Sequence, residues 1–151
     1  MAVILAVFAS GAVAQQAPLP YGPPISLENA KKAAAAAAAE ARKNNWNVAI
    51  AVTDIAGNLV YFEKIDGTQT GSVKIAIAKS RSAAQFKRPT KAFQDALAAG
   101  NTYILGLEGA VPSEGGIPIV MDGKIVGAIG ASGGTGQQDG MVSKAGVDAI
   151  Q

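Results

Sequence analysis

Cysteine and histidine are both missing from these 151 residues. The first absence excludes disulfides, thiolate nucleophiles and cysteine-held zinc or iron–sulfur centres. The second removes the commonest general base and the commonest transition-metal ligand, so neither a Ser-His-Asp triad nor bis-histidine haem ligation is available. Aromatic residues make up only 5% of the chain, so the core has to be built from closely spaced backbones rather than large rings. Charge is balanced: 13 Lys and Arg against 11 Asp and Glu leave a net +2. The pairs Lys31-Lys32 and Lys87-Arg88 are isolated, whereas a nucleic-acid face needs several clustered cations. Nucleic acid is therefore not an expected partner.

What is present is alanine, glycine and a hydrophobic share of 49%, enough for one folded domain without disulfides or metal. Met1–Ala14 reads MAVILAVFASGAVA, apolar and then small, and Ala12-Val13-Ala14 forms an A-x-A pattern before Gln15. This matches a secretory signal with its cleavage site, though without the basic residues of an n-region. A buried core element is the alternative. A membrane span is not, because these residues fall short of the ~20 required. The expectation is an exported protein, periplasmic or secreted, with no membrane attachment after cleavage. Cysteine-free composition suits an oxidising compartment without demonstrating one. Gln15–Pro24, QQAPLPYGPP, is proline-rich and reads as an extended arm, either a flexible leader or an arm that docks on a neighbouring subunit. The arm is assigned to 15–25 and the domain to 26–151.

Within the domain, Ser26 is expected to cap a helix over Leu27–Asn44, with Glu28 near its start and Arg42 and Lys43 near its end. The alanine run Ala33–Ala39 favours that helix and predicts a close approach to a sheet. Asn47–Asp54 and Leu59–Lys64 read as strands joined by a turn at Ala56-Gly57-Asn58. Ser72 is read as a cap for a helix over Val73–Phe86, whose apolar stripe is Val73, Ala76, Ile77, Ala83 and Ala84. Pro89 ends it, and Thr90 is read as the cap of a helix from Lys91 to Ala99. Residues 101–113 read as a helical turn or irregular strand followed by loop. Ile117–Met121 and Lys124–Ala131 flank a two-residue turn at Asp122-Gly123, and a final helix ends near Ile150. The order α-β-β-α-α-β-β-α predicts an α/β (α+β) fold, an antiparallel sheet covered by helices.

Four groups of residues invite a chemical reading. Gly130–Gly136, with Ser132, Gly133, Gly134 and Thr135, lies between a strand and a helix; its amides suit either an anion nest or a tight connection with Asp139 near the helix start. It is neither a Walker A loop nor a G-x-G-x-x-G fingerprint. Lys79 and Arg81 lie on a helix, with Lys87, Arg88 and Thr90 at its end. Arg88 suits a bidentate grip on a carboxylate, or a backbone or acidic contact at a subunit interface. Glu114-Gly115-Gly116 permits a pocket wall or a bend. Asp54 at a strand end reads as turn chemistry. No catalytic residue and no metal site is assigned.

Two segments name a family. Ala76–Thr90, AIAKSRSAAQFKRPT, and Glu114–Asp139, EGGIPIVMDGKIVGAIGASGGTGQQD, resemble the GlcG/HbpS family of small haem-binding or accessory proteins. The resemblance spans about Leu27 to Ile150 and implies a profilin-like α/β/α sandwich. It implies a homo-oligomer that binds a small molecule, with haem or a related tetrapyrrole as ligand. Arg88 and the 132–136 loop would then meet acidic groups. With histidine and cysteine absent, the axial donors left are Tyr61, Tyr103, Met121, Met141, a lysine or a weak oxygen donor; for Tyr61 and Met121, ordinary packing is the competing reading. Two other functions stay open: a self-assembling structural protein that uses the arm, and an enzyme acting on a small organic acid.

Overall fold

The computed structural model describes residues 17–151. The apolar opening at 1–14, with Gln15 and Gln16, lies outside the described residues. The chain runs through α1 (Leu27–Lys43), β1 (Ala49–Asp54), β2 (Leu59–Lys64), α2 (Ser72–Phe86), α3 (Lys91–Ala98), a 3-10 turn (Thr102–Gly106), β3 (Gly116–Met121), β4 (Lys124–Ser132) and α4 (Gly136–Asp148). The expected element order forms, and the 3-10 turn occupies part of the stretch read as a turn or strand. Two hairpins make one four-stranded antiparallel sheet in the order β2-β1-β4-β3. Helices α1 and α4 pack on one face and α2 on the other. This is an α+β fold with a helix, sheet, helix layering.

The α1 face is the main core. Ser26 caps α1 by accepting from the Asn29 amide at 3.2 Å. Ala30, Ala33, Ala34, Ala37, Ala38 and Ala41 are all buried, at the spacing of one helical face. They meet Ile50 and Val52 of β1, Ile119 of β3 and Ile129 of β4. Helix α4 crosses α1 at Gly146, where a Cβ would lie 2.8 Å from the Ala33 carbonyl oxygen. Alanine facing glycine is what lets the two helices approach so closely.

The α2 face is built differently from the stripe read off the sequence. Val73 and Ile77 are only half-buried, while Ser72, Ala76, Lys79, Ser80, Ser82, Ala83 and Ala84 are buried. The sheet explains this, since it offers α2 small residues: Ala49, Ala51 and Thr53 from β1, and Ala128 and Gly130 from β4. A Cβ on Gly130 would collide with the Ala76 carbonyl oxygen and the Ser80 amide of α2. At that separation only small side chains fit. The buried hydroxyls are satisfied, since Ser80 lies 2.9 Å from the Ala128 carbonyl and 2.8 Å from the Thr53 hydroxyl. Ser72 is the first helical residue rather than a cap and accepts from the Gln69 amide.

Strand β4 extends past the end of β1, and the proline arm fills the gap. Ile125 donates to the Pro20 carbonyl, Gly22 donates back to Ile125, and Ile25 donates to Val126. The Tyr21 hydroxyl reaches the carbonyls of Ala84 and Gln85 at the end of α2. The Lys87 ammonium sits 4.1 Å from the Tyr21 ring centre. From Pro20 onward the arm is therefore bonded to the sheet of its own chain.

The two edges of the sheet differ. At the β3 edge, the Thr90 amide donates to the Gly116 carbonyl at 3.0 Å, and the Gly116 amide donates to the Thr90 hydroxyl at 2.9 Å. Pro118 lies two residues on, so it points the same way and has no amide hydrogen to offer. Thr90 stands at the N-cap position of α3 but makes no capping bond; its hydroxyl serves the edge strand instead. The β2 edge carries no such cover among the described residues.

Candidate functional site

The site begins at an ion pair. Lys79 of α2 and Asp139 of α4 come from helices on opposite faces of the sheet, and their side chains meet at 2.8 Å with 2% and 3% exposure. Lys79 Nζ also donates to the Ala131 carbonyl at 3.2 Å. The other oxygen of Asp139 accepts from the Gly134 amide at 2.9 Å, and the Gly133 amide also favours its charged form. Burial pushes the Asp139 carboxyl up, against the Lys79 and glycine bonds that pull it down, and the net shift is upward. The glycine loop is thus an anion nest filled from inside by the chain's own carboxylate. Thr135 caps α4 in a reciprocal box with Gln138.

The pair dictates the glycines above it. Gly115 has φ +129°, and a Cβ there would lie 3.0 Å from Lys79 Nζ, 2.9 Å from Asp139 Cβ and 2.7 Å from the Ala131 carbonyl oxygen. A Cβ on Gly116 would strike the Lys79 backbone and the Thr90 methyl. Ser143 of α4 fixes the same corner by donating to the Gly115 carbonyl at 2.6 Å. Where α4 passes, a Cβ on Gly140 would meet the Glu114 carboxylate at 2.6 Å, so the glutamate lies flat across the helix.

The result is a cleft of about 240 Å³ between the start of β3, the outer face of α4 and the α2–α3 junction. Gly115 and Gly116 form a floor without side chains, and the Glu114 carboxylate lies over Gly140 beside them. Ile117, Pro89 and Met141 supply apolar walls, and Lys91 and Lys144 stand at the rim. The lysines pair with Asp95 and Asp148, each four residues on in its own helix. The bond to Asp95 raises the Lys91 pKa, and the charges of Asp95 and Glu114 add to it.

Of the residues singled out in the sequence, Glu114, Gly115 and Gly116 line this cleft, with Lys79 and Thr90 buried around its floor. Both are engaged in internal bonds, Lys79 with Asp139 and the Ala131 carbonyl, and Thr90 with the Gly116 amide. Arg88 does not enter the cleft: it is exposed, donates to the Phe86 carbonyl and stacks over Phe93 at 5.7 Å. Ser132 is buried in the last rung of the β1–β4 ladder opposite Ala49. Gly133 and Gly134 border a separate cleft beside Trp46. Among the axial candidates, Tyr61 and Met121 pack against the α1 core, Tyr103 is 67% exposed on the 3-10 turn, and Met141 lines the cleft. Asp54 accepts from the Ala56 and Asn58 amides, as turn chemistry requires.

The contribution of α4 escaped the reading of its sequence. Gln137, Gly140, Met141 and Lys144 recur at helical spacing along one face, and a mid-helix glycine costs ~1 kcal/mol relative to alanine. That cost was the available signal that something lies close against the helix at Gly140.

Comparison with known proteins places these features in a family. The family model described as Haem degrading protein HbpS-like matches residues 25–148. Protein GlcG of Escherichia coli K12 is 40% identical over 108 residues, covering 72% of this chain and 81% of GlcG. The crystal structure of a double mutant of HbpS from Streptomyces reticuli superposes with a TM-score of 0.79 at 29% identity, covering 96% of this chain and 99% of the other. The structure of a PduOC:heme complex has the same fold, with a TM-score of 0.77 at 22% identity, covering 85% of this chain and 96% of that one.

Proposed function

The chain belongs to the HbpS-like family, and on that premise we propose that it binds haem or a related tetrapyrrole at the cleft between β3 and α4. The observation that carries the reading is the pairing of a side-chain-free floor with two rim lysines. The edge of a flat macrocycle suits the bare floor of Gly115 and Gly116. Its acid groups suit Lys91 and Lys144, whose present partners are exposed and screened by water, so a ligand carboxylate displaces them easily. Met141 is 47% exposed and is the soft donor in the cleft; thioethers are an established class of haem ligand. At about 240 Å³ the cleft is smaller than sites that engulf a whole drug-sized molecule. The ring therefore enters by an edge.

A visible-absorption titration with haemin tests this. The expected result is a saturable, shifted Soret band at fixed stoichiometry. Met141→Leu moves the band, and Lys91→Ser with Lys144→Ser weakens binding on the order of tenfold. A titration that never saturates, or one indifferent to all three substitutions, means that the family has shared its fold here and not its ligand.

Two further features belong to this reading. Tyr103 and Leu105 are 67% and 69% exposed on the 3-10 turn, which favours self-association through that turn. The apolar opening Met1–Ala14 favours export, to the periplasm or beyond. The intact mass of protein recovered from an exporting host should correspond to a chain beginning at Gln15; a mass retaining Met1–Ala14 would remove the export reading.

A further inference from the structure

A second cleft, of about 330 Å³, lies where the α1–β1 connection meets the glycine loop. Its chemistry is unlike the first. Asn45, Trp46, Asn47, Gln69 and Gln138 line it together with bare glycines, and no charged side chain does. The glycine loop adds no anion site, because the Gly134 amide is turned inward to Asp139. Side-chain amides are left over. Gln69 uses its amide group on Ser72 and keeps its carbonyl; Gln138 uses its carbonyl on the Thr135 amide and keeps its NH2. Asn45 and Asn47 are exposed. The Asn47 amide nitrogen rests against Gly67, whose missing Cβ would lie 2.9 Å from it. Trp46 is half-buried against the core, so its ring is a fixed wall.

We propose that this cleft binds a neutral saccharide. An amide offers donors and acceptors side by side, as a row of sugar hydroxyls requires. An indole presents an apolar face to the C–H side of a sugar ring and an N–H at its edge. A charged ligand would find no counter-ion here, and a purely apolar one would leave the amides unpaired. The site shares no lining residue with the β3–α4 cleft.

Trp46 is the one tryptophan in the chain, so no second indole masks a change in its emission. The full chain is titrated with maltose while emission is followed, and saturation-transfer NMR on the same samples detects bound sugar if the indole is silent. The expected result is saturable binding with half-saturation on the order of 1 mM. In an Asn45→Gly, Asn47→Ala double variant the half-saturation rises about tenfold, as two lost hydrogen bonds predict. Both residues are exposed and glycine suits the φ of +57° at position 45, so circular dichroism should show the fold intact. Glucuronate and glucosamine should bind no more tightly than glucose. Silence in both measurements, an unchanged curve in the double variant, or a preference for a charged sugar overturns the proposal.

Discussion

Lys79→Met is expected to lower the unfolding free energy by about 3–5 kcal/mol, the usual cost of stranding one member of a buried ion pair. The side chain is of similar length, so the loss comes from Asp139, left as a buried carboxylate with only the glycine-loop amides for company. Removing both charges, as Lys79→Met with Asp139→Asn, should cost less than the two single substitutions summed, with a coupling of ~0.5–3 kcal/mol. The dependence on pH has a definite sign. The folded-state pKa of Asp139 is raised above its unfolded value. The stability it contributes is therefore fully present in acid and is lost as pH rises through the folded pKa. Without Lys79 the folded value rises further, so the deficit of the variant should shrink as the solution is acidified. Chemical denaturation at several pH values measures all of this. Additive single effects, or a deficit that grows toward acid, would show that the pair is not what holds the two helices. The same variant bears on function, because Gly115 rests on the pair, and haemin binding should fall with stability.

Gly130→Ala should be nearly as damaging, at about 3 kcal/mol, the upper end for overpacking a core. The added methyl meets the backbone of α2 rather than a side chain that could rotate away. The helix has to lift, which strains the Thr53–Ser80–Ala128 hydrogen bonds and Lys79 together. Gly71→Ala is the control. Gly71 precedes α2 with φ −61° and has open space around its Cα, so alanine should stabilise by about 0.4–1 kcal/mol through the unfolded chain. Thermal melts of the two variants, moving in opposite directions, would separate helix–sheet contact from any general intolerance of substitution at glycine. A Gly130→Ala protein that melts with the parent would mean that α2 is not seated as described.

What the sequence made legible was local. Asp122 and Gly123 adopt φ +49° and +71°, the geometry that a two-residue hairpin of this composition requires. The alanines of α1 announce their own helix and their own close packing. The buried face of α2 was not legible from apolar spacing, because the choice between Ile77 and Ser80 is made by the glycine and alanine on the strands opposite. The same holds for the glycine loop. Its capacity for an anion could be read, but its occupant could not, since Asp139 looks like an ordinary first-turn acid until Lys79 is seen beside it. The cleft is assembled from residues 89–91, 114–117 and 137–144, and only tertiary packing joins them.

The unequal edges of the sheet also limit how copies of this chain could join. Strand-to-strand growth needs a free ladder, and the β3 side is closed by Thr90 and by Pro118. Among the described residues only β2 has one to offer, so pairing across it consumes that free edge of both molecules at once. The product is a closed pair, never a ribbon. A light-scattering mass above two copies would therefore have to come from another surface, with the Tyr103–Leu105 turn as the first to mutate.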